Sequence, residues 1–73
     1  MNEEKLIDAR LSLSALFKAR REELNLTQQE LADLCGFNRA TIIRWEAGEF
    51  WPGMKQYLII CDKLGLTNKI ISE

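Results

Sequence analysis

Apolar residues in this chain recur at intervals of three and four, and no stretch alternates as a half-buried strand would. Leu13, Leu16, Phe17, Arg20 and Leu24 fall on one helical face, and Ala15, Lys18, Arg21 and Glu22 between them are strong helix formers. Asn25, which tolerates the left-handed conformation, ends this element. A second helix opens at Thr27, where Thr27-Gln28-Gln29-Glu30 reads as a capping box. Leu31, Leu34 and Cys35 are its expected buried side, Ala32 permits close approach, and Gly36 stops it. A third helix is capped by Asn38, with Phe37 and Ile42 at the spacing of a hydrophobic staple. Ile42 and Trp45 face inward, while Arg39, Ala40, Ile43 and Arg44 fall on the other side, and Gly48 ends the helix. A turn over 49–53 leads to a fourth helix over 54–64, with Met54, Tyr57, Leu58, Cys61 and Leu64 apolar on one face and Gly65 as its stop. Thr67 is placed to cap a last short turn holding Ile70 and Ile71. Leu6, Ile7 and Leu11 fit either an upstream extension of the first helix or a loose arm. The pattern is all-α, a compact bundle of four or five short helices.

Composition narrows the function more than the fold. Seventy-three residues make one domain, 47% hydrophobic and 29% charged, too apolar for a disordered tail. The longest apolar run, residues 57–61, is far short of the roughly 20 that span a bilayer, so no membrane association is expected. The acidic start has no apolar secretory core, which points to the cytoplasm. There, Cys35 and Cys61 are expected to be reduced, buried thiols. The chain has no histidine, and so lacks the commonest general base and metal ligand. With no phosphate loop, nucleophile elbow or metal-ligand set either, the expectation is a binding protein without cofactor or metal, and not an enzyme. The net charge of −1 argues against a partner held by bulk electrostatics, yet leaves room for a local basic face.

The informative stretch is 27–48. Two short capped helices joined by a tight turn at Gly36 have the helix-turn-helix arrangement. LTQQELA over residues 26–32, then Gly36, then Thr41-Ile42, then Trp45-Glu46-Ala47-Gly48 resembles the Cro/phage-repressor (XRE-type) helix-turn-helix family, and the match continues through Pro52 and Leu64-Gly65-Leu66. The resemblance implies a lambda-repressor-like DNA-binding domain over 13–66, preceded by an arm or helix extension over 1–12 and followed by a short helix or tail over 67–73. It implies a sequence-specific transcriptional regulator of double-stranded DNA, acting as a homodimer with the helix over 38–47 in the major groove.

Residue roles follow the same resemblance. Gln28 matches a phosphate contact that also braces the recognition helix, which suits the exposed N–H groups at a helix start. Asn38 and Thr41 match backbone contacts, Arg39 and Ala40 base-facing positions, and Ile43 and Arg44 face the groove one turn later. Arginine can fork onto guanine, and alanine or isoleucine can meet a thymine methyl. Arg21 and Glu46 match a structural salt bridge between the first and third helices. The chain departs from the family after Gly48, where basic residues are common but Glu49-Phe50-Trp51 stands. That departure motivates a second reading, a protein-binding adaptor or antitoxin-like module using Phe50, Trp51 and the C-terminal helix.

Overall fold

A computed structural model describes residues 1–66. The expected turn with Thr67, Ile70 and Ile71 lies outside the described residues. Four helices follow one another: α1 Glu3–Glu23, α2 Gln28–Cys35, α3 Arg39–Glu46 and α4 Met54–Lys63. Among the described residues there is no strand, and no helix is long and apolar enough to cross a membrane.

Local chemistry sets most boundaries. The Asn2 side chain accepts the Lys5 N–H at 2.8 Å and Glu3 and Glu4 complement the dipole of the first turn, so α1 begins well upstream of Leu13. Asn25 takes φ +60° and turns the chain toward α2. There Thr27 Oγ1 accepts the Glu30 N–H at 3.0 Å while the Glu30 carboxylate accepts the Thr27 N–H at 2.8 Å, closing the capping box. Gly36 (φ +77°) ends α2, and its left-handed backbone lets the Phe37 N–H return to the Ala32 carbonyl at 2.9 Å.

α2 packs on α3 and on α4, and α1 packs on α3. The core joins Phe17 of α1, Leu31 and Ala32 of α2, Ile42 and Trp45 of α3, and Ile60, Cys61 and Leu64 around α4. Phe17 stands edge-on to Trp45 at 4.9 Å between ring centroids and tilts toward Tyr57 at 6.0 Å. Such aromatic pairs add about 0.5–1.5 kcal/mol beyond the area they bury.

The buried stripes differ from the apolar pattern in three helices. In α1 the buried positions are Ser14, Phe17 and Arg21, so Leu16 is 52% exposed and Leu24 is also outside. Two polar residues on the inward face had shifted the apparent stripe by about one position. In α2, Leu31, Ala32 and half-buried Cys35 share one arc with Gln28, and Leu34, off that arc, is 51% exposed. In α4, Met54 is 72% exposed and Ile60 takes the inner position.

Gly48 (φ +74°) is buried beneath α1: a Cβ there would lie 2.5 Å from Leu11 Cδ2. Gly36 has the same handedness but open space around it. Gly36→Ala is expected to cost about 1–2 kcal/mol from the backbone alone. Gly48→Ala carries the same backbone cost and pushes aside the end of the half-exposed Leu11 side chain, so it is expected to cost only slightly more, and Leu11→Ala in that background returns the difference. Thermal melts of the three variants check the order.

Candidate nucleic-acid interface

The turn between α2 and α3 brings the two helices together, with Ile42 and Trp45 anchoring α3 through its inner face. Asn38 fixes where α3 starts. Its Oδ1 accepts the Thr41 N–H at 2.9 Å and the Thr41 hydroxyl at 2.8 Å. An amide oxygen only accepts, so the Thr41 hydroxyl hydrogen is committed to the cap, while the Nδ2 hydrogens of Asn38 have no partner among the described residues. With the inner face spent on the core, Arg39, Ala40, Ile43 and Arg44 are all exposed, Ile43 to 39%.

Behind this face lies a polar knot. Arg21 donates from Nε to Glu46 Oε2 at 2.7 Å and from Nη2 to Glu46 Oε1 at 3.0 Å, a two-point clamp from α1 to the last turn of α3. Its Nη1 donates to the Leu26 carbonyl at 2.7 Å, tying in the loop before α2. Gln28 Nε2 donates to Glu46 Oε1 at 3.1 Å, so three elements meet on one carboxylate. The hydrogen bond to Glu46 raises the Arg21 pKa, and burial only partly opposes it, so the guanidinium stays charged. Gln28 keeps its second Nε2 hydrogen for an outside acceptor. Thus Gln28 belongs to both the brace and the surface, Arg21 and Glu46 lie beneath, and Asn38, Arg39, Ala40, Thr41, Ile43 and Arg44 share the third helix and its cap.

The turn after α3 holds a contact that sequence reading missed. Arg44 Nε lies 3.3 Å from Glu49 Oε1, and its guanidinium carbon stands 5.7 Å from the Phe50 ring centroid. Spacing could have suggested it: Gly48 reverses the chain and the Glu49 N–H returns to the Arg44 carbonyl at 3.1 Å, folding Glu49 back beside Arg44. Arg39 makes no ion pair among the described residues.

The model of the family described as Helix-turn-helix matches residues 17–67, which include α2, the turn, α3 and α4. The chain belongs to the XRE-type helix-turn-helix family. Outside the match lies the first part of α1, so this helix-turn-helix protein carries a longer leading helix than the matched segment. It is also similar to a protein of Methanothermobacter thermautotrophicus named "Uncharacterized HTH-type transcriptional regulator", with 43% identity over 42 residues. That match covers 58% of the present chain and 61% of the relative.

Elsewhere in this helix-turn-helix domain, Leu13, Trp51, Pro52, Met54 and Tyr57 line an open apolar groove of about 320 Å³, with Trp51 46% exposed. Half-buried Phe50 packs against the core. Among the described residues no cluster of candidate metal ligands occurs. Cys35 and Cys61 are free thiols, and burial raises the pKa of both. Lys63 lowers that of Cys35 in part, as does the Tyr57 hydrogen bond for Cys61. Raised pKa values keep both groups protonated at neutral pH, and only the thiolate attacks. Labelling of both by an aromatic disulfide at pH 7.5 is expected to be much slower in the native protein than in urea, with the difference vanishing once the chain unfolds.

Proposed function

We propose that this protein is a sequence-specific, double-stranded DNA-binding transcriptional regulator in which α3 enters the major groove. One observation carries the reading. An arginine at each end of an exposed strip, with Ala40 and Ile43 between them, stands outward on a short helix whose opposite side is locked into the core. Side chains of these types read guanine edges and thymine methyls.

The surrounding groups suit backbone contacts. The free Nε2 hydrogen of Gln28 and the Nδ2 hydrogens of Asn38 flank the strip and can donate to phosphates. Thr41 contributes by holding the Asn38 amide in place, since its own hydrogen is spent within the cap. Arg39, Ala40, Ile43 and Arg44 then read bases. A homodimer would present two α3 helices about 34 Å apart on one side of the duplex, matching a palindromic site.

Selection from a randomised duplex pool tests this reading. The expected result is an enriched palindromic sequence whose affinity falls with added salt, because Lys and Arg contacts release counterions. Recovery of no preferred sequence would remove it. A second reading, a protein partner docking through Trp51, is supported by the exposure of that indole beside the apolar groove. It expects Trp51→Ala to abolish function while Arg39→Ala and Arg44→Ala leave it intact.

A further inference from the structure

Arg44 is held on two sides at the end of α3. Its Nε is engaged by the Glu49 carboxylate at 3.3 Å, and its guanidinium carbon lies over the Phe50 ring, 5.7 Å from the centroid. Both Arg44 and Glu49 are well exposed, so the contact adds little to stability. Its consequence is orientation. An arginine side chain free in water samples many rotamers, and binding must pay that entropy before a fork can form. With Nε occupied and the guanidinium carbon over an aromatic ring, the groups left unpaired among the described residues are the terminal Nη1 and Nη2. These form the end-on fork that fits the O6 and N7 acceptors of guanine.

We infer that Glu49 is a positioning residue for base recognition, aiming the terminal fork of Arg44 at a guanine while its own charge weakens attachment to any phosphate backbone. The inference rests on the DNA-binding reading above and adds a division of labour to it. A carboxylate just beyond the recognition helix lowers affinity for all duplexes alike and raises the contrast between the right sequence and the rest.

A double-mutant cycle on the affinity ratio between the selected duplex and a random duplex tests this, at one fixed salt concentration. Glu49→Ala is expected to tighten binding to the random duplex and to lower the ratio about fivefold, part of the roughly 5- to 150-fold that one bidentate arginine contributes. In the Arg44→Ala background, the same change is expected to leave the ratio where it was. If Glu49 acts only as a repulsive charge, Glu49→Ala tightens both duplexes equally in both backgrounds, and the inference is overturned. An equal fall of the ratio in both backgrounds overturns it too, because the effect then bypasses Arg44. A wild-type protein with no preference among duplexes removes the DNA-binding reading itself, and this inference with it.

Discussion

Replacing Glu46 by alanine is expected to cost about 3–5 kcal/mol of folding stability, more than any other single change in the polar framework. The side chains of Arg21 and Glu46 are only 9% and 6% exposed. Removing the carboxylate strands a buried guanidinium that had two donors on it, and also frees the Gln28 amide. The penalty is mostly that of an uncompensated buried charge, so it need not measure what the pair adds. Arg21→Met with Glu46→Leu, which removes both charges, is expected to recover much of the loss. Urea unfolding followed by circular dichroism measures all three proteins. A Glu46→Ala loss below about 1 kcal/mol would place the pair among exposed bridges instead. Arg21 has its pKa raised in the folded state by the Glu46 carboxylate, so its contribution is present throughout the neutral range and is lost as the pH rises into strong alkali.

How much of this was legible beforehand depends on the range of the interaction involved. Caps are local, so Thr27, Gly36 and Asn38 announced themselves through the types of residue present within four positions. The start of α1 is equally local: Asn2 followed by Glu3 and Glu4 is a capping signal, and it decides for the helix extension over the loose arm. Leu11 also finds a contact, because Gly48 leaves room for it from the far side of the chain. Faces were harder. Arg21 is polar yet buried because it finds its carboxylate on α3, while the buried Ser14 hydroxyl has no hydrogen-bond partner among the described residues; no period in α1 alone contains that information. Leu34 and Met54 fit a helical apolar stripe but face solvent, since the packing of α2 and α4 selects a different arc. At the candidate interface, the outward side of α3 followed from Ile42 and Trp45 pointing in. The hold of Glu49 on Arg44 depends on the reversal at Gly48, which the glycine and the five-residue spacing suggest but the helical period of α3 does not contain.

Removing both arginines of the outward strip is expected to produce the largest functional loss. Arg39→Ala and Arg44→Ala each remove one possible fork, worth about 1–3 kcal/mol of base discrimination. Together they are expected to lower the preference for the selected duplex by about 2–6 kcal/mol if the two act independently, enough to leave only salt-sensitive, non-specific attachment. Both side chains are exposed, so the thermal midpoint of the double variant is expected to stay near that of the wild type. Gln28→Ala differs in kind. It takes a hydrogen bond from Glu46 as well as the proposed phosphate donor, so it is expected to lower stability and to weaken all duplexes to a similar degree. Fluorescence anisotropy against selected and random duplexes, beside a melting curve for each variant, separates the two behaviours.

On the proposed function, the outer side of α3 is the surface that meets DNA. The most direct measurement is a nuclear magnetic resonance titration of the labelled protein with the duplex recovered by selection. The largest amide shifts are expected at residues 38–44, at the start of α2 at Gln28, and at Glu49 beside Arg44, with the groove around Trp51, Met54 and Tyr57 little changed. Shifts concentrated in that groove, with α3 silent, would contradict the proposed function.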